Sequence, residues 1–172
     1  ARQGGAVMSL GTTEIVNSTV SANLASGSGG GLYHGALKAA TITNCTFTGN
    51  VADNTATSSG NGGALYTLSG ATHIELRNTL VAGNMDMSGN GALAGTMHPD
   101  VSGVFAGDHN NLIGDARGAV GFSGSDIVLA ATGPLDIETV LDPVLADNGG
   151  PTLTHALTLF SPAINRGSNS FV

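Results

Sequence analysis

The groups on which this chain of 172 residues could build chemistry are its twelve acidic side chains, five histidines and one cysteine. Asp108, His109 and Asp115 lie close in sequence, and Asp142 and Asp147 flank a turn in the tail. Carboxylates beside turn carbonyls are the hard oxygen donors that calcium takes, so these aspartates are the calcium candidates. Asp in such turns also bonds its own backbone, and that is the preferred reading, with no cofactor required. His34, His73, His98, His109 and His155 show no ligand spacing such as HxH or HExxH. Cys45 stands alone, which excludes an internal disulfide and a cysteine-based zinc site.

The elements that must position these groups are repeats. Residues 29–50, GGGLYHGALKAATITNCTFTGN, are the clearest copy. Asn17, Asn44 and Asn78 align, as do Asn23, Asn50 and Asn84, with spacings of 27 and 34 residues in both series. A doubly matched period of this size signals a solenoid. Between the paired asparagines, Ser18, Val20 and Ala22 correspond to Cys45, Phe47 and Gly49 and to Thr79, Val81 and Gly83. Alternation puts these on one face of a short strand, with Cys45 as an inward filler, and Thr19, Ser21, Thr46, Thr48, Leu80 and Ala82 on the other. The pattern predicts three stacked coils of a parallel β-helix over residues 4–84, cornered by an asparagine ladder. Asn17 and Asn44 begin N-x-T triplets, but their recurrence at a corner fits the ladder better than glycosylation.

On the outward rows, Glu14 and Glu75 are equivalent, with Ala40 or Thr41 between them, and Arg77 pairs with Glu75. No stacked carboxylate pair results, so catalysis is not expected even though polysaccharide lyases and pectin hydrolases share such folds. Tyr33 and Tyr66 recur after GGGL and GGAL, forming a short row suited to ladder packing and, as an alternative, to glycan contact. The Thr-x-Ser and Thr-x-Thr rows match the pattern of ice-binding solenoids over two coils only.

Composition agrees. Charged residues make up 10% and aromatics 4%, with 27 glycines and no Trp, which suits thin coils filled by Val, Ile, Leu and Ala. A net charge of −7 with five basic residues argues against nucleic acid and anionic membrane surfaces as partners. No stretch approaches the roughly 20 apolar residues of a membrane-spanning helix, and ARQGGAV is no signal peptide. Because GGAV already looks like the repeat element, the chain reads as starting inside a repeat. Residues 51–63 form a polar loop, and residues 85–122 decay into irregular coils in which Met85 and Met87 are expected to fill core gaps or sit in loops. Residues 123–172, with Pro134, Pro143, Pro151 and Pro162, are expected to form a C-terminal coil and an irregular cap over the open end.

ITNCTFTGN with GGGLY and GGALY resembles the GGA(I/L) and FxxN elements of the polymorphic outer-membrane protein repeats, a class of right-handed parallel β-helix. LRNTLVAGN, PDVSG, NNLIGD, LDPVLADNGGPTLTHAL and SPAINRGS, in that order, resemble the C-terminal part of the bacterial choice-of-anchor surface proteins. Asn165 and Arg166 stand where that family more often shows Asp-Ala. The resemblance implies an all-β, right-handed parallel β-helix that is extracellular or on a bacterial cell surface. Its expected role is structural and non-enzymatic, adhesin-like or passenger-like, or assembling end to end with copies of itself into filaments. Surface glycans are a possible partner, and a carbohydrate-binding or polysaccharide-degrading solenoid is the alternative.

Overall fold

A computed structural model describes residues 1–55, 60–68, 70, 73–88, 99–117, 119–129 and 135–171. The polar-loop residues 56–59, the stretch 89–98 with His98, and Pro134 lie outside the described residues.

The first coil carries β1 (Val7–Ser9), β2 (Thr13–Val16) and β3 (Thr19–Ser21). The second carries β4 (Leu32–His34), β5 (Ala40–Thr43), β6 (Thr46–Thr48) and β7 (Val51–Ala52). The third repeats it as β8 (Leu65–Thr67), β9 (Ile74–Arg77), β10 (Leu80–Val81) and β11 (Met85–Asp86). A fourth has β12 (Val101–Ala106) and β13 (Leu112–Ile113), and a fifth β14 (Ala119–Val120) and β15 (Ile127–Val128). Every pairing between these strands is parallel and joins one coil to another. One column runs β1-β4-β8-β12, a second β2-β5-β9-β12 and a third β3-β6-β10-β13-β15. The long β12 pairs with β8 through Val101 and with β9 through Phe105, joining two columns. The fold is thus all-β and solenoid-like. No described helix is long and apolar enough to cross a membrane.

Parallel, in-register stacking places like residues above like. Leu32 pairs with Leu65, which pairs with Val101; Ile42 pairs with Leu76; Phe47 pairs with Val81. All of these are fully buried in one core. Each buried Leu, Ile, Val or Phe contributes roughly 1.5–3 kcal/mol relative to exposure. Val7, Ile15 and Val20 occupy the same positions in the first coil but are only half-buried.

The paired glycines are explained by the corner they turn. Gly4, Gly29 and Gly62 have φ of +59°, +68° and +67°, a region that penalises a side chain. Their successors leave no room for one: a Cβ on Gly30 would lie 2.2 Å from the Gly63 carbonyl oxygen, and a Cβ on Gly63 would lie 1.9 Å from that of Pro99. The backbones touch along this column, so each GG dipeptide is a requirement of close stacking.

The tail is expected from the sequence as a cap over the open end; its described residues 135–171 instead run along the side of the third column, held to themselves by antiparallel bridges Leu141–Leu157 and Ala146–Thr154. The reason lies in the outward positions of β10 and β13. Leu80, Ala82 and Leu112 form a second core with Val140 and Leu141, joined by Ile137 and Ala163. An outward apolar row in water is unfavourable, and the tail covers it. The threonine row is consequently partly covered: Thr48 is 4% exposed, and half-buried Thr19 and Ser21 line a cleft together with Leu145 and Leu153 of the tail. Met85 is half exposed on β11 and does not fill core.

Gly30→Ala is expected to cost about 1–3 kcal/mol, several degrees in Tm, because backbone must move. Gly11→Ala, where a Cβ meets nothing within 4 Å, is expected to be near neutral. Thermal unfolding of both variants by circular dichroism checks the pair.

Candidate functional site

Two rows of polar side chains run inside the stack. In the first, Asn23 donates its backbone N–H (3.1 Å) and its Nδ2 (2.9 Å) to Asn50 Oδ1. Asn50 donates the same two groups to Asn84 Oδ1 at 3.0 and 2.9 Å, and Asn84 to Asp100 Oδ1 at 2.9 and 2.7 Å. The same amides also satisfy buried carbonyls, Asn50 that of Val20 and Asn84 that of Phe47. In the second row, the Cys45 N–H donates to Thr79 Oγ1 and the Thr79 N–H to Asn111 Oδ1. The N–H and Nδ2 of Asn111 both reach Asp126 Oδ1. Asn111 follows Thr79 by 32 residues, close to the earlier 34, but Asp100 and Asp126 follow Asn84 and Asn111 by only 16 and 15, less than one repeat, and so escape a search by spacing. The one sequence signal is Asp100 directly before a strand, where earlier coils have Gly or Ala.

Asp100 is 2% exposed, and Oδ2 accepts the Asp115 N–H at 2.7 Å. Burial pushes its carboxyl up to about 7, against the pull of the Asn84 and Asp115 donors. Arg117 grips the Asp115 carboxylate through Nε and Nη2, and that bond raises the guanidinium's own pKa. Of the remaining calcium candidates, Asp142 and Asp147 sit in turns and accept the Val144 and Gly149 N–H, whereas Asp108 accepts the N–H of Ser125, 17 residues on. No group of three His, Cys, Asp or Glu that could hold a metal occurs among the described residues. Cys45 is buried, and burial raises its thiol pKa.

Asn17, Asn44, Asn78 and Asn110 form a third, outer row, all with positive φ at the corner between the second and third columns. The tail binds three of them. Asn110 Nδ2 donates to the Arg166 carbonyl, Asn78 exchanges two bonds with Ser168, and Asn44 Nδ2 donates to the Phe171 carbonyl. Asn78 Nδ2 also reaches Asn44 Oδ1 at 3.0 Å. Beside them Glu75 accepts from Arg77 at 2.8 Å and faces His109 Nε2 at 3.4 Å, with Phe171 against both Arg77 and His109. Glu14 is separated from Glu75 by Thr41, so no second acid adjoins it in the column. Between this corner and the tail lies a cleft of about 320 Å³ lined by Asn44, Asn78, Asn110, His155 and Arg166 among others.

Tyr33 and Tyr66 pair in register on the outer face of the first column, their rings stacked at 5.2 Å and 21°. Desolvation, then the neighbouring Tyr33, raises the Tyr66 phenol. Each ring covers one face of the other, and both residues are half-buried. His34 is fully buried behind this row, between Ser9 Oγ at 3.3 Å and the Lys38 carbonyl at 2.6 Å.

Residues 44–68 match the family model described as the Chlamydia polymorphic membrane protein repeat. The matched segment runs from the corner Asn44, through Phe47 and the ladder rung Asn50, to the glycine pair and β8. No curated protein and no solved structure matches the chain.

Two outcomes follow. With a folded pKa of about 7 against an ordinary 3.8, Asp100 holds its proton in the folded state while the unfolded chain has lost it. The sign is that its contribution to stability falls as pH rises from about 4 to about 7. Urea titrations across that range should show this slope in the parent chain and not in Asp100→Asn. Asn78→Ala removes the bonds to Ser168 and Asn44 and is expected to favour tail opening by about 1–3 kcal/mol, read as faster proteolysis after residue 160 with the coils intact.

Proposed function

We propose that the chain is part of a right-handed parallel β-helix on a bacterial surface or secreted from the cell, with a structural, adhesin-like role and no catalysis of its own. The observation that carries this reading is the repeat unit itself. The segment similar to a membrane-protein repeat spans one turn of the parallel stack, from β6 and β7 of the second coil to β8 of the third, and contains the stacked Phe47 and the rung Asn50. The ordered likeness of five pieces between residues 76 and 168 to choice-of-anchor surface proteins supports the same location. Against catalysis stands the engagement of the acids: Asp100, Asp115 and Asp126 in buried or partly buried hydrogen bonds, Glu75 with Arg77, and Asp142 and Asp147 in turns.

A second reading, contact with surface glycans, is favoured by one feature, the half-buried Tyr33–Tyr66 stack beside the exposed Met8. Both readings make the outer faces of the coils the working surface.

The purified chain coated on beads is expected to hold the beads to mammalian epithelial monolayers, and to release no reducing ends or unsaturated uronic acids from pectin or alginate. Steady release of either product would overturn the non-enzymatic reading. A glycan array run with the parent and with Tyr33→Ala/Tyr66→Ala separates the two: loss of a defined glycan signal in the double variant selects the carbohydrate reading.

A further inference from the structure

Both buried rows have a direction. Each coil donates N–H groups to a side-chain oxygen of the coil that follows, from Asn23 to Asn50, Asn84 and Asp100, and from Thr79 to Asn111 and Asp126. Both finish on carboxylates, which accept and have no amide to pass on. Asp100 takes the Asn84 N–H, the Asn84 amide and the Asp115 N–H; Asp126 takes four backbone N–H groups and the Asn111 amide. The rows are closed on this side.

On the other side they are open. Asn23 donates but no described residue donates to its Oδ1, whereas Asn50 and Asn84 each receive two such bonds at that atom. The strands agree. β1, β2 and β3 pair with the second coil alone, and the half-buried Val7, Ile15 and Val20 lie at the same end of the core.

We infer that this edge is a docking site for a partner segment of stated chemistry: one further β-coil with asparagine at the row position, whose N–H and Nδ2 donate to Asn23 Oδ1 while its strands extend the three columns. Among the described residues, the far side of a second copy offers Asp126 to the row of Ser18, and the Asp126 N–H is already bonded to the Ser123 carbonyl. Filaments of identical copies stacked end to end, expected from the repeat pattern, would therefore bring no free Asp126 N–H to Ser18, whereas a coil with asparagine at the row position supplies both donors. The inference stands whether or not the chain is an adhesin.

The test uses the full chain and a synthetic peptide of residues 29–61, the second coil, in parent form and as Asn50→Asp. Fluorescence anisotropy is expected to give saturable binding of the parent peptide and binding about tenfold weaker or less for the Asp form, which sets oxygen against Asn23 Oδ1. Hydrogen exchange in β1, β2 and β3 is expected to slow with the parent peptide alone. Equal affinity for both peptides, or polymerisation of the chain by itself in sedimentation velocity, would overturn the inference. Because a free coil can fail to order, the same pair is also placed in tandem ahead of Gly4. There the Asn form is expected to raise Tm by several degrees over the Asp form, and equal Tm values overturn the proposal.

Discussion

A side-chain amide that donates alongside its own backbone N–H to the next coil is the interaction on which the rest of this structure depends. Parallel strands as short as two or three residues provide few ladder bonds, and the corners between them leave N–H groups that cannot reach water. Asn50 solves this within one residue, reaching Asn84 with both groups and the Val20 carbonyl as well. An orphaned buried donor costs about 1–3 kcal/mol, so a coil without its rung loses more than one bond's net worth. The glycine pairs serve the same end, since the rungs meet only when the backbones approach too closely for a Cβ.

The tail completes what the coils leave unfinished. In the first two coils the outer face of the third column is Thr and Ser, which tolerate water; from β10 it becomes Leu80, Ala82 and Leu112, which do not. The covering segment closes this patch with Val140 and Leu141 and then fastens itself to the corner asparagines. One residue type thus has two uses at two positions. The asparagines within the stack transmit bonds from coil to coil, and those in the left-handed corner conformation present their amides outward to the tail.

Much of the coil architecture was legible in the sequence because in-register parallel stacking writes the same residue at the same place in each turn. The spacing of Asn17, Asn44 and Asn78 and the parity of Val20, Phe47 and Val81 are direct records of it. Three things were not legible. Asp100 enters its row from the residue before β12, where earlier coils have Gly31 and Ala64, so its 16-residue spacing to Asn84 has no precedent among rungs 27 and 34 apart. The side-on course of the tail depends on contacts 90 positions apart, such as Asn78 with Ser168, which no local pattern encodes. Its one trace was the change from Thr to Leu and Ala on the outward row, a change that reads equally well as the end of a regular face. And the sequence pairs Glu14 with Glu75 by position without revealing that His109 and Phe171 gather around the second of them alone.

The fastening of the tail sets how the molecule carries load. Phe171 lies beside the second coil, Ser168 beside the third and Arg166 beside the fourth. Tension applied at Phe171 along the stack axis therefore enters near the middle of the molecule and is shared in shear among three coils. The fifth coil, with its two-residue strands, would peel first if the chain left the stack directly from its end; the doubled-back tail shields it from the pull.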